Sequence, residues 1–202
     1  TVFSDWIFQE HGSFPLMFLY GTANTGKTDL LNCIQEFFGQ KQAPLTLTGK
    51  ANTDKAKIRK FAQFVNLPVF LEEYRNDMPV EMVETLKGLW NRYGYERANI
   101  KSRYNTEEVP ITCTAMITGN DYPMDDALVT RLIIDEMMKE NFSLEEKKLF
   151  NDLRKIRSRG ISKILGELVP LRNEFEADFL QLLGEAQVEV KNEIEIDGER
   201  MK

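Results

Sequence analysis

The stretch from Gly21 to Thr28, GTANTGKT, has the residue types and the spacing of a phosphate-binding loop, G-x-x-x-x-G-K-[ST]. Gly21 and Gly26 allow backbone conformations in which successive N–H groups point inward and surround a triphosphate at a helix N-terminus. Lys27 supplies a positive charge for the β- and γ-phosphates, and the hydroxyl of Thr28 can bind Mg²⁺. The loop therefore predicts an ATP and Mg²⁺ site, with further cofactor contacts from Thr22, Ala23, Asn24 and Thr25.

Two adjacent carboxylates follow a buried strand later in the chain. The run LPVFLEEY, Leu67 to Tyr74, is apolar up to Glu72 and Glu73, which places both side chains at the sheet edge where the phosphate loop also lies. We expect Glu72 to hold the metal and Glu73 to orient or deprotonate an attacking water. A solvated glutamate pair at a strand end is the alternative, which the complete phosphate loop upstream disfavours.

An amide side chain follows the next apolar strand, Pro110 to Thr118. Asn120 would emerge at the same sheet edge as the glutamates, where it can hold the lytic water or sense the γ-phosphate. The alternative is an asparagine in an ordinary turn before Pro123. Together with the two preceding motifs, the pattern favours a catalytic role.

Arg131 ends a short helical stretch, just before the apolar pair Leu132 and Ile133. A guanidinium here is a candidate arginine finger, which would reach the γ-phosphate bound by a neighbouring subunit and stabilise charge in the transition state. The alternative is a salt bridge within the chain, for which the candidate partners are Asp125, Asp126 and Asp135.

Strands must alternate with helices to position these residues. The apolar run Phe14 to Tyr20 predicts a strand entering the phosphate loop, and Asp29 to Phe38 predicts a helix leaving it. A strand at Leu45 to Thr48 and a helix opened by Pro79 continue the alternation, which predicts an α/β fold with a central, mostly parallel sheet flanked by helices.

Composition limits the class of protein. The 202 residues suffice for one α/β domain with a small appendage. No apolar run is long enough to span a membrane, so we expect a cytoplasmic protein. Cys33 and Cys113 fit small core residues better than a disulfide or metal pair. The net charge of −6 argues against a globally basic coat for nucleic acid, so any such contact must be local.

In chain order, these motifs resemble those of a superfamily-three helicase. The resemblance rests on the phosphate loop, the Glu72 and Glu73 strand, the segment ETLKGLWNRYGYERANIKSRY, the strand ending at Asn120, and Arg131. It covers Phe14 to Glu136 and is closest to the poxvirus and phage primase-helicase branch. It implies a P-loop NTPase of the ASCE or AAA+ type that hydrolyses ATP as a ring homo-oligomer, expected to be a hexamer, in bacterial cells that host a phage or mobile element.

The same resemblance implies a channel hairpin that grips single-stranded DNA. The candidate contacts are Lys87, Arg97, Lys101 and Arg103, which with Arg92 form a basic stretch opposed by Glu96 alone. Cations there can follow the phosphates of one strand. The alternative is a solvated surface hairpin without a ligand.

The predicted organisation has four parts. Residues 1–13 form a truncated lead-in, 14–136 the ATPase core, 137–184 a small helical subdomain, and 185–202 a strand-like tail, suggested by alternating apolar residues, that begins a further domain. Ser143 and Glu146 form a capping-box pattern at the start of the helical part. Its basic cluster, Arg154 to Arg159, fits a solvated helix face better than a DNA contact. We expect the chain to be an excised piece of a longer polypeptide.

The favoured function is an ATP-driven replicative helicase or translocase on single-stranded DNA. A nucleotide-switched assembly or loading ATPase without unwinding activity is the main alternative. A small-molecule P-loop kinase is weaker, because it leaves Asn120 and the basic hairpin unexplained and lacks an arginine-rich lid.

Overall fold

The computed structural model of the chain describes residues 4–48, 54–98, 106–139 and 142–193. Its helices are α1 (Ser4–His11), α2 (Lys27–Phe37), α3 (Asp54–Phe61), α4 (Val80–Trp90), α5 (Asp126–Val129), α6 (Leu144–Arg159), α7 (Ser162–Leu168) and α8 (Arg172–Glu193). A 3₁₀ turn at Val169–Leu171 precedes α8. The strands are β1 (Leu16–Tyr20), β2 (Leu45–Thr46), β3 (Val65–Tyr74), β4 (Tyr95–Ala98), β5 (Thr106–Val109), β6 (Thr112–Gly119) and β7 (Leu132–Glu136).

Five strands form one parallel sheet in the order β2-β3-β6-β1-β7, which confirms the predicted fold class. The strand that ends at Gly119 therefore separates the phosphate-loop strand from the glutamate strand. Because all five run in one direction, the carboxyl ends of β1, β3 and β6 meet at one edge of the sheet. The remaining two strands, β4 and β5, pair as an antiparallel hairpin.

Apolar side chains cover the sheet on both faces, as a parallel sheet requires. Leu16 and Phe18 of β1 pack in one cluster with residues of α3, α4 and α5, whereas Leu19 packs in a second cluster with Leu31 of α2. These β1 residues are fully buried, so the strand that leads into the loop is held rigidly from both sides.

Helix α6 begins with the capping box that the sequence predicts. Ser143 Oγ accepts a hydrogen bond from the backbone N–H of Glu146, and the Glu146 carboxylate accepts one from the N–H of Ser143, which is a complete capping box for α6. Arg172, the first residue of α8, pairs with Asp5 of α1 and stacks on Trp6, so the helical part is tied back to the start of the chain.

The strand predicted within residues 185–202 is wrong over its described part. Residues 185–193 continue α8, including Val188 and Val190, whose alternation suggested a strand. Their neighbours are mostly Glu, Ala, Gln and Lys, which favour helix, and extending an existing helix avoids the cost of nucleation. Residues 194–202 lie outside the described part of the chain.

None of the described helices is long and apolar enough to cross a membrane.

Candidate active site

The loop Gly21 to Gly26 joins β1 to α2 and takes the backbone conformations that its composition allows. Positive φ values occur at Gly21 (140°), Asn24 (66°) and Gly26 (93°). Gly26 is the N-cap of α2 and has no side chain to accept from the first turn, so the N–H groups of that turn remain available to an anion. The loop therefore has the backbone form of a phosphate cradle.

Gly21 must be glycine for a second reason. A Cβ on this residue would overlap the carbonyl oxygen of Met137 and lie 3.1 Å from its carbonyl carbon. Met137 cannot easily move, because its N–H donates to the carbonyl of Tyr20 at 2.8 Å. The segment after β7 thus packs directly on the start of the loop.

Lys27 points into the loop. Its Nζ donates to the carbonyl oxygens of Gly21 (2.6 Å) and Thr22 (2.8 Å) and to Oγ1 of Thr25 (3.3 Å), and the residue is only 8% exposed. Desolvation lowers the pKa of this ammonium. Three oxygen acceptors nevertheless match its three N–H donors, so the loop holds a charged lysine at its centre. Thr28, on the next position of α2, is exposed at the rim.

Glu72 and Glu73 lie at the carboxyl end of β3 but project into different surroundings. Glu72 is half-buried and accepts a hydrogen bond from Thr46 at 3.3 Å, whereas exposed Glu73 accepts one from Thr48 at 2.9 Å. Glu73 has φ of 62°, and the pairing register with β6 shifts between Leu71 and Tyr74. A β-bulge changes the direction in which nearby side chains point. A positive φ on a residue other than glycine raises the conformational energy of the backbone by about 1–3 kcal/mol. The backbone therefore bears strain where the sequence predicts the catalytic carboxylate.

Asn120 follows β6 directly and is exposed at the same edge of the sheet. Thr118 is in register with Leu19 of β1, and Gly119 with Tyr74 of β3, so Asn120 emerges between the phosphate loop and the glutamates. The fold thus brings together the ends of all three predicted motifs.

The side chain of Asn76, for which the sequence gives no functional signal, connects two of these loops. Asn76 donates from Nδ2 to the carbonyl of Tyr122 (3.0 Å) and accepts at Oδ1 from the N–H of Met124 (2.9 Å). The segment after Asn120 is therefore attached to the segment after Glu73. In the sequence, Asn76 and Asn120 both look like ordinary turn residues. Nothing in the pattern indicates that Asn76 contacts the segment that follows Asn120.

Arg131 lies at the opposite end of the strands, beside the first residue of β1. Leu132 is in register with Leu16 and Glu136 with Tyr20, and the N–H of Leu16 donates to the carbonyl of Arg131 at 3.1 Å. The five residues of β1 separate this position from the phosphate loop, about 16 Å at roughly 3.3 Å per residue. No side chain spans that distance, so Arg131 does not meet Lys27 within one chain.

None of the described carboxylates pairs with Arg131, so the predicted alternatives with Asp125, Asp126 and Asp135 are not formed. One guanidinium nitrogen, Nη1, donates to the carbonyl of Ala127, and the buried Nε has no partner. Asp125 is instead the N-cap of α5 and a partner of Lys87.

The predicted DNA contacts divide into described and undescribed residues. Arg97 is on β4, paired in register with Glu107 of β5, whereas Lys101 and Arg103 lie outside the described residues. Lys87 is on α4, 15% exposed, with Nζ 2.6 Å from Glu84 and 3.3 Å from Asp125. These carboxylates raise its pKa, the hydrogen bond to Glu84 most of all.

Arg92, the other cation of the basic stretch, is used inside the chain. Its guanidinium donates to Ser4 (2.6 Å) and Asn66 (3.2 Å) and stacks over Phe8. The charge left for a ligand on this stretch is therefore smaller than the sequence suggests.

Arg157 of α6 contacts the helix that follows the phosphate loop. It donates to both carboxylate oxygens of Glu36 (2.8 and 2.9 Å) and to Asp29 (3.0 Å), and its side chain is 12% exposed. The prediction of a solvated basic face is therefore wrong at this position. Asp29 directly follows Thr28, so Arg157 connects the C-terminal helices to the first turn of α2.

A polar cleft of about 610 Å³ lies beside this contact. Residues of α2, of the 40–44 segment and of α6 line it, among them Asn32, Gln40 and Ser158. It includes none of the predicted catalytic residues, so it is separate from the edge where Lys27, Glu72, Glu73 and Asn120 gather.

Neither the protein-family models nor the curated proteins compared with this chain give a match. Among solved structures, the chain is similar to one described as "SCCmec type IV Cch - active helicase", with a TM-score of 0.64 at 12% identity over 98% of this chain and 37% of that chain. Another, "The A form apo structure of NrS-1 C terminal region-CTR", has 21% identity over 77% of this chain and 39% of that chain, but its TM-score of 0.44 supports no fold assignment. The chain spans well under half the length of either. The five-stranded parallel sheet and the first of these similarities identify a P-loop-NTPase-like α/β fold, which the chain shares with that helicase structure.

Proposed function

We propose that this chain is the ATPase domain of a replicative helicase or translocase that acts on single-stranded DNA. The observation that carries the proposal is the convergence, at one sheet edge, of a preformed phosphate loop with two carboxylates and an amide. Resemblance to the superfamily-three helicases, and to their phage and poxvirus primase-helicase branch, supports the biological setting. In this proposal, the protein acts in the cytoplasm of a bacterial cell that hosts a phage or mobile element.

ATP would bind with its phosphates in the loop from Gly21 to Thr28. Lys27 would exchange its present acceptors, the loop carbonyls, for oxygens of the β- and γ-phosphates. The N–H groups at the start of α2 would add further donors. Lys27 would thereby serve both binding and stabilisation of the charge that develops during phosphoryl transfer.

The residues fit a Mg²⁺ ion that is bound mainly through the nucleotide. Thr28 offers a hydroxyl and Glu72 a half-buried carboxylate, both of which are oxygen donors that Mg²⁺ prefers. Among the described residues, no group of three acidic, His or Cys side chains could hold a metal unaided. In nucleotide sites, Mg²⁺ usually has one or two protein ligands together with phosphates and water. When bound, the ion would neutralise phosphate charge.

Glu73 would act on the attacking water, and Asn120 would help to hold it. Glu73 is the exposed carboxylate of the pair and accepts a hydrogen bond from the hydroxyl of Thr48, which shows that its oxygen can act as an acceptor at this edge. An orienting or general-base contact of this kind typically contributes about 10²–10⁴-fold in rate.

Arg131 would complete the site of a neighbouring subunit in a ring, expected to be a hexamer. A role in its own site conflicts with its place at the far edge of the sheet. An arginine supplied to a γ-phosphate in this way is worth about 10³–10⁵ in turnover.

Single-stranded DNA would be gripped by the hairpin of β4 and β5 and the segment between them. Arg97, Lys101 and Arg103 are the proposed contacts; Lys87 is less suited, because its ammonium is already paired with two carboxylates. Backbone contacts of this type make affinity depend steeply on salt, with a slope of about −0.7 per phosphate for single strands.

The test of the hydrolytic assignment is Glu73→Gln, with Glu81→Gln on the exposed first turn of α4 as the matched control. We expect Glu73→Gln to bind a fluorescent ATP analogue with unchanged affinity and to lose turnover by at least about 10²-fold, whereas the control keeps both. Normal turnover in Glu73→Gln would overturn the assignment.

A nucleotide-switched assembly ATPase without unwinding activity is the second candidate. The contact of Arg157 with both ends of α2 favours it, because changes at the phosphate loop can reach the C-terminal helices through this residue. ATPase rates with and without single-stranded DNA over a salt series separate the two. Stimulation that fades with salt supports the motor, and no stimulation in an assembled preparation supports the switch.

A further inference from the structure

The ammonium of Lys87 sits between two elements of the fold. It lies 2.6 Å from Glu84, one turn earlier on α4, and 3.3 Å from Asp125, which is 38 residues further along the chain. The Lys87 side chain is mostly buried, and its two carboxylate partners leave it little capacity for a third anion such as a DNA phosphate.

Asp125 is the N-cap of α5. Its Oδ1 accepts from the N–H of Leu128 at 2.7 Å, and its carbonyl accepts from the N–H of Val129 at 2.9 Å, so Asp125 caps the helix with both its side chain and its backbone. A helix of four residues is not stable by itself. The orientation of α5 therefore depends on its anchors and on buried Leu128.

Arg131 is attached to α5. Its N–H donates to the carbonyl of Leu128 at 2.8 Å, and its guanidinium donates to the carbonyl of Ala127. A displacement of α5 would therefore move the guanidinium with it. The contacts run without a break from Lys87 on α4, through Asp125 and α5, to Arg131.

We propose that Lys87 is a positioning residue for Arg131 and not a DNA ligand. By holding Asp125, Lys87 fixes α5 in the orientation from which Arg131 reaches the site of the next subunit. Because α4 also leads into the β4–β5 hairpin, the contact connects the proposed DNA-binding segment to the proposed finger. This inference rests on the proposed function, specifically on Arg131 acting between subunits.

The test uses the full chain in its assembled state and three substitutions of the network: Lys87→Met, Lys87→Arg and Asp125→Asn. We expect Lys87→Met to lower kcat about a hundredfold at saturating ATP with little change in KM, as a finger displaced by about 1 Å would. Lys87→Arg should recover most of the rate. Asp125→Asn keeps the oxygen that caps α5 but removes its charge, so it should lower kcat in the same direction even if Lys87→Met folds poorly.

Mixing experiments distinguish positioning from a general structural defect. Subunits with Lys87→Met should regain activity when mixed with Lys27→Ala subunits, which carry an intact finger, and should gain none from Arg131→Ala subunits. Rescue by Arg131→Ala subunits would place Lys87 on the phosphate-loop side of the interface and overturn the inference. If Lys27→Ala and Arg131→Ala fail to rescue each other, the proposed role of Arg131 itself falls, and the inference falls with it.

Affinity for single-stranded DNA supplies the remaining comparison. Lys87→Met should bind an oligonucleotide with unchanged affinity and salt slope, whereas Arg97→Met should weaken binding. A slope reduced by about 0.7 in Lys87→Met, with its DNA-free ATPase rate unchanged, would show a phosphate contact and overturn the inference.

Discussion

Replacing Arg157 with methionine should loosen the C-terminal helices from α2 and destabilise the chain. The substitution removes two hydrogen bonds to Glu36 and one to Asp29 but keeps an apolar stem of similar length. Hydrogen bonds to charged groups contribute about 1.5–3 kcal/mol each when buried. Glu36 is 28% exposed and Asp29 43% exposed, so water recovers part of that loss and the Asp29 bond contributes least.

We therefore expect a loss of about 2–3 kcal/mol in the free energy of unfolding, less than the roughly 3–5 kcal/mol for breaking a fully buried pair. For a chain of this size, the corresponding fall in Tm is about 5–10 °C. Urea unfolding measures the free energy, and calorimetry measures Tm. Arg154→Met is the matched control, because it removes the same charge from an exposed position one turn earlier on α6.

A double-mutant cycle with Glu36→Gln tests the assigned partner. The coupling energy between Arg157→Met and Glu36→Gln should be about 1–2 kcal/mol, within the range for residues in direct contact. Equal stability of Arg157→Met and Arg154→Met, or a coupling energy near zero, would show that the contact between Arg157 and Glu36 does not stabilise the fold.

The same contact predicts a pH dependence. The hydrogen bond from Arg157 lowers the pKa of Glu36 in the folded state. A carboxyl whose pKa is lower when folded contributes stability above its unfolded pKa, about 4.3, and loses it as pH falls through the folded pKa. The stability difference between the natural chain and Arg157→Met should therefore be full at neutral pH and shrink below about pH 4. A difference that grows on acidification would contradict this sign.

Two further substitutions test the loop and the cap. Gly21→Ala should weaken ATP binding at least about tenfold, because the added methyl group must displace the backbone at Met137; unchanged affinity in a fluorescence titration would show that the segment yields easily. Ser143→Ala should cost about 1 kcal/mol and raise hydrogen exchange at the start of α6, whereas Ser143→Thr, which keeps the acceptor, should not; equal exchange in both variants would argue that the cap with Glu146 is not formed in solution.

Local patterns predicted four of the five strands of the parallel sheet, β1, β2, β3 and β6, because each of these segments carries its own signal, whereas β7 was not predicted. Apolar runs before Gly21, Glu72 and Asn120 are strand-length and end at polar residues, so both their type and their shared edge follow from sequence. The alternation of Val188 and Val190 suggested a strand, but alternation over a few residues also fits one turn of a polar helix. These residues are helical because they continue α8, which is already formed.

Partners of charged side chains could not be predicted in the same way. Arg157 meets Glu36 across 121 residues of sequence, and Lys87 meets Asp125 across 38. A helix face rich in cations has the same sequence pattern whether it faces solvent, DNA or another helix. The pattern does not identify the residues that the fold places against that face. Only the fold, which brings Arg157 of α6 beside α2 and packs α5 on α4, selects one arginine and one lysine from their clusters.

The position of Arg131 in the fold bears on whether it is an arginine finger or a salt-bridge partner, which the sequence leaves open. The sequence favours a finger but leaves a salt bridge open, since three aspartates lie close to Arg131 along the chain. In the fold, its carbonyl is fixed to Leu16, at the start of the strand whose end opens the phosphate loop. The two ends of β1 therefore carry the two halves of the proposed site on opposite edges of one sheet. If Arg131 acts on a γ-phosphate as proposed, one copy of the chain must lie against another to bring the two halves together, because β1 holds them at its opposite ends.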